Sequence, residues 1–96
     1  MAFFVYILAS RPNGTLYIGM TDNLLKRVWQ HRNEITPGFT QRYGAKTLVW
    51  YEPHPSRESA FRRERQLKKW NRIWKLSLIE RDNPQWRDLW EEISAP

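Results

Sequence analysis

Two short apolar runs separated by a turn signal constrain this chain more than any other feature. Residues 3–9, Phe3-Phe4-Val5-Tyr6-Ile7-Leu8-Ala9, are dense in β-branched and aromatic side chains, which suit a buried pleated surface. Residues 15–20, Thr15-Leu16-Tyr17-Ile18-Gly19-Met20, return with similar composition. Between them lies Ser10-Arg11-Pro12-Asn13-Gly14, where Pro12 fixes φ and Asn13-Gly14 supply positive φ. The pattern predicts an antiparallel hairpin. Pairing residue 9 with 14 would set Tyr6 directly across from Tyr17. A slip of two residues leaves them diagonal neighbours, and a slip of one puts them on opposite faces. The sequence does not fix the register; two tyrosines sharing one face is the reading adopted.

Gly19 reads as a tight turn leading into a helix from about Asn23 to between Arg32 and Glu34. Thr21, Asp22 and Asn23 can each cap it, because a short side-chain oxygen accepts from the unpaired N–H groups of a first turn. Leu24 and Val28 give the apolar face. Asn23, Arg27 and His31 fall on a neighbouring stripe at four-residue spacing. A tyrosine, an arginine and a histidine are thus aimed from a strand and a helix that meet at one corner, as a rigid scaffold presents a reactive site. Taken alone, the same stretch also fits a half-buried strand tyrosine and a solvated helix face.

Downstream, Thr36-Pro37-Gly38 reads as loop and Phe39 to Tyr43 as a short helical turn stopping at Gly44. Residues 46–52 form a third strand closed by Pro53 and Pro55. Ser56 caps a helix running to about Trp70. On it Ala60, Glu64 and Leu67 share an inward stripe with Phe61 beside it, while Arg57, Arg62, Arg65 and Lys69 spread around the outside. An inward carboxylate needs a partner, an arginine such as Arg27 or a metal, because desolvating an unpaired charge is expensive. Residues 72–80 read as helix, Asp82-Asn83-Pro84 as a break, and residues from Pro84 or Gln85 to Ile93 as another helix with Asn83 as its cap.

At 96 residues the chain suits one domain, 1–96, with a core over 3–70 and a helical extension over 71–96. The absence of cysteine excludes disulfides and thiolate zinc sites. No apolar run is long enough for a membrane helix, and the apolar start reads as a strand rather than a signal peptide. The expected setting is cytoplasmic. Sixteen Lys and Arg against ten Asp and Glu give a net charge of +6, which favours a polyanionic partner. Residues 57–75 carry a dense basic run, whereas 80–92 are acidic. Lys26, Arg62, Arg63, Lys68, Lys69 and Arg72 are candidate nucleic-acid contacts that could track a phosphate backbone. The same run also reads as the solvated side of a helix. Six tryptophans among basic residues could stack on unpaired bases. Paired as Trp70 with Trp74 and Trp86 with Trp90, they read more simply as core.

Together Tyr6, Tyr17, Arg27, His31 and Glu64 form an ordered set, and with them the sequence resembles the GIY-YIG endonuclease superfamily. Tyr17-Ile18-Gly19 matches its second signature word. Phe4-Val5-Tyr6 stands at the first and keeps only the tyrosine with a β-branched residue before it. The arginine, the histidine and the Ala60-to-Glu64 helix follow in the family's order, and the resemblance covers roughly residues 3–70. The tail (Leu78-Ile79, Asn83-Pro84-Gln85-Trp86, Asp88-Leu89) is similar to a small stand-alone bacterial branch, excinuclease C subunit-like or UPF0213-like.

The resemblance implies an α/β (α+β) domain with a three-stranded antiparallel sheet flanked by helices and extra C-terminal helices. It also implies metal-dependent hydrolysis of DNA phosphodiester bonds. Carried over by position, one of Tyr6 and Tyr17, usually the first, helps activate the attacking water. Arg27 holds the scissile phosphate, His31 assists proton transfer or phosphate contact, and Glu64 is the sole carboxylate ligand of one Mg²⁺ or Mn²⁺ ion. Asn83 stands where some branches carry a C-terminal asparagine. The sequence departs from the family at Phe4, which replaces a glycine, and at Met20, where repair nucleases often have lysine.

The chemistry agrees with that assignment. Arginine offers a planar, permanently charged fork to a phosphate, and a Mg²⁺ held by one carboxylate and waters stabilises a leaving oxygen. Tyrosine is a weak base at neutral pH unless nearby cations lower its pKa, and Arg27, His31 and a metal are the expected ones. Two other readings use the same residues: a nucleic-acid-binding module of feeble catalysis, and a protein-interaction module built on the Trp-rich C-terminal helices. The partner expected is DNA, with RNA not distinguished and no membrane.

Overall fold

The computed structural model describes residues 2–33 and 42–95. The loop expected at Thr36-Pro37-Gly38 and most of the turn from Phe39 lie outside the described residues. The described elements are β1 (Phe3–Ala9), β2 (Leu16–Thr21), α1 (Leu24–Arg32), β3 (Thr47–His54), α2 (Arg57–Lys69), α3 (Arg72–Asp82) and α4 (Trp90–Ser94). The three strands form an antiparallel sheet in the order β2-β1-β3.

The hairpin turn follows from its residues. Gly14 N–H donates to the Arg11 carbonyl at 2.9 Å. Pro12 stands second and Asn13 third with φ 58°, the type II pattern. Positive φ therefore falls on Asn13 alone. Arg72 Nη2 donates to the carbonyls of Asn13 and Gly14, each at 2.7 Å, and fastens the turn to the start of α3. Across the hairpin Ala9 pairs with Leu16 and Tyr6 with Gly19. This is the register slipped by two from the 9–14 pairing, so Tyr6 and Tyr17 are diagonal neighbours on one face.

The pairing of β1 with β3 shifts between Ile7, opposite Trp50, and Leu8, opposite Leu48. Val49 is the extra residue, and such a bulge can turn two successive side chains onto the same face. Val49 and Trp50 accordingly both join Val5, Ile7, Ala9 and Ile18 beneath Ala60 and Leu67 of α2 and Leu78 and Ile79 of α3. The opposite face carries Tyr6, Leu8 and Leu48 against Leu24 and Val28 of α1 and Leu89 of the tail. Helices thus cover both faces. Ile7, Leu8, Leu67 and Ile79 are fully buried, each contributing roughly 1.5–3 kcal/mol.

Several expectations need correction. Gly19 lies inside β2 rather than in a turn. β3 runs through Pro53 to His54, because it is an edge strand and tolerates a missing N–H. Phe61 is 49 % exposed, with the Arg65 guanidinium over its ring, and stands outside the core. The helix expected from residue 84 forms only at Trp90–Ser94.

Asn83 explains that last difference. It ends α3 instead of starting a helix: its N–H donates to the Ile79 carbonyl at 2.8 Å. Its buried amide donates to the carbonyls of Val49 at 3.1 Å and Arg87 at 2.9 Å, and accepts from Arg87 N–H at 3.1 Å. These bonds hold residues 84–89 in a non-helical course that buries Trp86 at φ 55°. Leu89 N–H then joins the Leu48 carbonyl at 2.8 Å. Trp50 and Trp86 are buried and Trp70 and Trp90 partly so, whereas Trp29 and Trp74 stand exposed. Among the described residues no helix is long and apolar enough to cross a membrane.

Candidate active site

Tyr6 comes from the central strand and Tyr17 from the edge strand beside it. For the Tyr6 ring to cross β2, the residue opposite must have no side chain. A Cβ on Gly19 would lie 2.6 Å from the Tyr6 hydroxyl oxygen, 2.8 Å from its Cζ and 3.0 Å from Cε2 of Tyr17. Glycine at 19 is therefore a matter of space rather than of backbone angle.

From α1, His31 turns inward and meets the rings. Its ring centroid lies 5.5 Å from that of Tyr17 and 6.1 Å from that of Tyr6, and the two tyrosines are 6.3 Å apart. The Tyr6 hydroxyl is 3.3 Å from Nε2 of His31. Asn23 fixes the start of α1 by accepting from Lys26 N–H at 3.1 Å. One turn on, Gln30 Oε1 accepts from Arg27 Nη1 at 3.4 Å.

Burial pushes the Tyr6 hydroxyl up to about 12, with Tyr17 and the Glu64 carboxylate adding to the rise and Arg27 opposing it. Arg27 lowers it, as expected of a neighbouring cation, but desolvation of the phenolate outweighs that one guanidinium. Burial and the Arg27 charge together lower the pKa of His31 below its ordinary 6.5. Near neutral pH the pair is thus a neutral phenol against a neutral imidazole, and the phenol donates when His31 carries its proton on Nδ1.

Glu64, on α2, has a side chain 14 % exposed and pairs with Lys68 Nζ at 3.7 Å one turn on, rather than with Arg27, the arginine weighed beside a metal as its partner. The site is layered. Tyr6 and His31 form its buried floor; Tyr17, Arg27 and Glu64, each only partly buried, form its rim.

Two depressions flank the rim. Arg27 opens into a cleft of about 420 Å³ that Lys26, Gln30 and Arg57 also line. Tyr17 borders a depression of about 280 Å³ with Lys68 and Lys75. Of the candidate nucleic-acid contacts, Lys26 and Lys68 thus lie beside the site. Arg62 and Lys69 stand exposed on α2. Arg63 is held by Glu52 at 3.1 Å and Arg72 by the hairpin turn, so both tie elements together. Arg57 and Gln30 were not expected at the site. Lys68 at Glu64 was foreshadowed by its four-residue spacing, but nothing in the sequence marks Arg57 as a neighbour of Arg27.

A metal at this site would have few protein ligands. Among the described residues no group of three or more His, Cys, Asp or Glu could hold one. A lone, mostly buried carboxylate fits a hard cation that retains most of its waters, such as Mg²⁺.

Comparison with known proteins gives a consistent picture. The family model of the GIY-YIG catalytic domain matches residues 2–77. A UPF0213 protein of Clostridium perfringens is 34 % identical over 91 residues, covering 95 % of this chain and 97 % of that protein. A UPF0213 protein of Syntrophus aciditrophicus is 37 % identical over 90 residues, covering 85 % and 93 %. The solution NMR structure of a UPF0213 protein from Bacillus halodurans superposes with a TM-score of 0.58 at 27 % identity, covering 95 % of this chain and 96 % of that one.

Proposed function

The chain belongs to the GIY-YIG catalytic domain family, a family of nucleases that generally use a divalent metal, and from that premise we propose that it is an endonuclease hydrolysing DNA phosphodiester bonds with one Mg²⁺ or Mn²⁺ ion. The observation that carries this reading is the convergence of Tyr6, Tyr17, Arg27, His31 and Glu64 from four elements of the fold on one layered site. We propose further that the whole of 1–96 acts as a single domain, in the cytoplasm, on branched, nicked or flapped DNA of the kind met in repair or recombination.

In this reading the rim handles the phosphodiester and the floor handles a proton. Arg27, steadied by Gln30, holds the scissile phosphate and offsets charge developing on its oxygens. A phosphodiester is too large for the Tyr6–His31 floor, which takes only a proton. The attacking water gives its proton to the Tyr6 hydroxyl as the Tyr6 proton passes to Nε2 of His31. The water oxygen bonds to phosphorus, and the bond to the leaving oxygen breaks. Tyr6 with its raised pKa is thus a relay and His31, kept neutral, the acceptor. A metal bound through Glu64 would supply Lewis-acid stabilisation of the leaving oxygen.

The test is a labelled panel of duplex, single-stranded, flapped, nicked and four-way DNA incubated with Mg²⁺ or Mn²⁺. Cleavage of at least one member is expected. Binding without cleavage in either metal would replace this reading with that of a nucleic-acid-binding module.

A further inference from the structure

The cleft at Arg27 does not end at the rim. It shares Asn23 and Lys26 with a second, apolar groove of about 480 Å³ between α1 and α4, whose other lining residues are Leu25, Trp29, Trp90 and Ser94. Trp29 is 48 % exposed and Leu25 46 %, so a large aromatic surface faces solvent. Neither residue completes the core, which α1 reaches through Leu24 and Val28.

We propose that this groove takes an unpaired nucleobase of the substrate strand, stacked on Trp29. The substrate class is then nucleic acid with single-stranded character beside the cleaved phosphate. The identification of the strand rests on the nuclease reading; the stacking itself does not require catalysis.

Three observations support this occupant. The groove adjoins the cleft that holds Arg27, the two sharing Asn23 and Lys26 as a common wall, so one strand passing over Lys26 can reach both. Lys26 stands at the junction, with Arg27 and Arg57 in the cleft beyond, where Asp22 is the acidic neighbour, and among the described residues no acidic side chain lines the groove itself. The path therefore has cations where a backbone would pass and an aromatic face where a base would rest, the combination used by surfaces that grip single strands. The distances also suit a strand. Successive side chains turn about 100° around a helix, so Lys26 follows Arg27 by one step and Trp29 lies about 60° further on. On a helix about 11 Å across with its side chains, that arc is about 15 Å, within reach of a few nucleotides. A fully paired duplex has no free base face to offer Trp29.

The test measures binding of labelled single-stranded oligonucleotide and of blunt duplex of the same sequence by fluorescence anisotropy, in chelator so that nothing is cut. Trp29→Ala should weaken single-strand binding at least about fivefold, since stacking on one aromatic side chain commonly accounts for that and more. Duplex affinity should stay within about twofold, and Trp29→Phe should retain most single-strand affinity. Unchanged single-strand binding, or equal losses on both substrates, would overturn the proposal. So would a dimer of the wild type that Trp29→Ala abolishes, which assigns the groove to a second copy. A protein that binds single strands through Trp29 but cuts nothing leaves the groove proposal standing and removes the nuclease reading. One that cuts duplex and single strands alike with or without Trp29 does the reverse.

Discussion

The Tyr6 hydroxyl lies 3.3 Å from Nε2 of His31 across two elements of the fold, with Tyr6 1 % and His31 3 % exposed. Two groups so placed act as one unit, and such units are not additive. Tyr6→Phe and His31→Ala should each lower kcat about a hundredfold or more, and the double variant should be little worse than either. The neutral imidazole is the acceptor, so wild-type activity should fall as pH drops, with a midpoint below 6.5 because His31 is held below its ordinary value. That acid limb should be lost in His31→Ala. Additive losses in single-turnover kinetics would show that the two residues act separately.

Burial of Tyr6 also predicts an alkaline limit to stability. Its folded pKa is raised from 10 to about 12. The unfolded chain therefore releases the proton first, and the contribution of the buried neutral phenol, complete below pH 10, is lost as pH rises towards 12. At about 1.4 kcal/mol per pH unit the loss is about 3 kcal/mol. Urea unfolding of wild type and Tyr6→Phe between pH 9 and 12, values chosen to bracket about the two pKa limits, should show a steeper decline in the wild type.

Gly19 faces that same ring. Gly19→Ala places a methyl 2.6 Å from the Tyr6 oxygen, so the ring must move off His31. Overpacking of this kind typically costs about 1–3 kcal/mol. The loss of activity should exceed what that destabilisation explains, because the protein stays folded while the relay is broken. Thermal melting together with activity well below Tm separates the two effects.

Asn83 should matter for stability and not for chemistry. Its side chain makes three hydrogen bonds, and Asn83→Ala would leave the Val49 and Arg87 partners unsatisfied around a buried site. A loss of about 2–4 kcal/mol in chemical denaturation is expected, with kcat at low temperature close to wild type. A selective fall in kcat would instead give Asn83 a place in the reaction.

Much of this arrangement was legible in the sequence because it is local. The strands declare themselves by aromatic and β-branched runs, and Asn23 and Ser56 cap the helices they precede. The inward position of Glu64 follows from the period of α2. The remainder depends on contacts between distant residues. Gly19 has the composition of a turn and becomes strand because a ring from β1 lies over it. Asn83 and Pro84 have the pattern of a helix start, yet Asn83 is drawn backwards onto the Val49 carbonyl, and the helix waits until Trp90. The raised pKa of Tyr6 was not legible, because its nearby charges can be guessed from sequence whereas the depth of its burial cannot.

The most direct test of the account concerns Glu64. Wild type and Glu64→Ala should be compared on the same labelled DNA, with cleavage followed in Mg²⁺ or Mn²⁺ and binding followed in chelator. A carboxylate that holds the metal predicts cleavage by wild type only, with DNA affinity in the variant equal to or above wild type, since one negative charge has left a basic surface. If Glu64→Ala cuts DNA at the wild-type rate, Glu64 is only the partner of Lys68, and the account of this site is wrong.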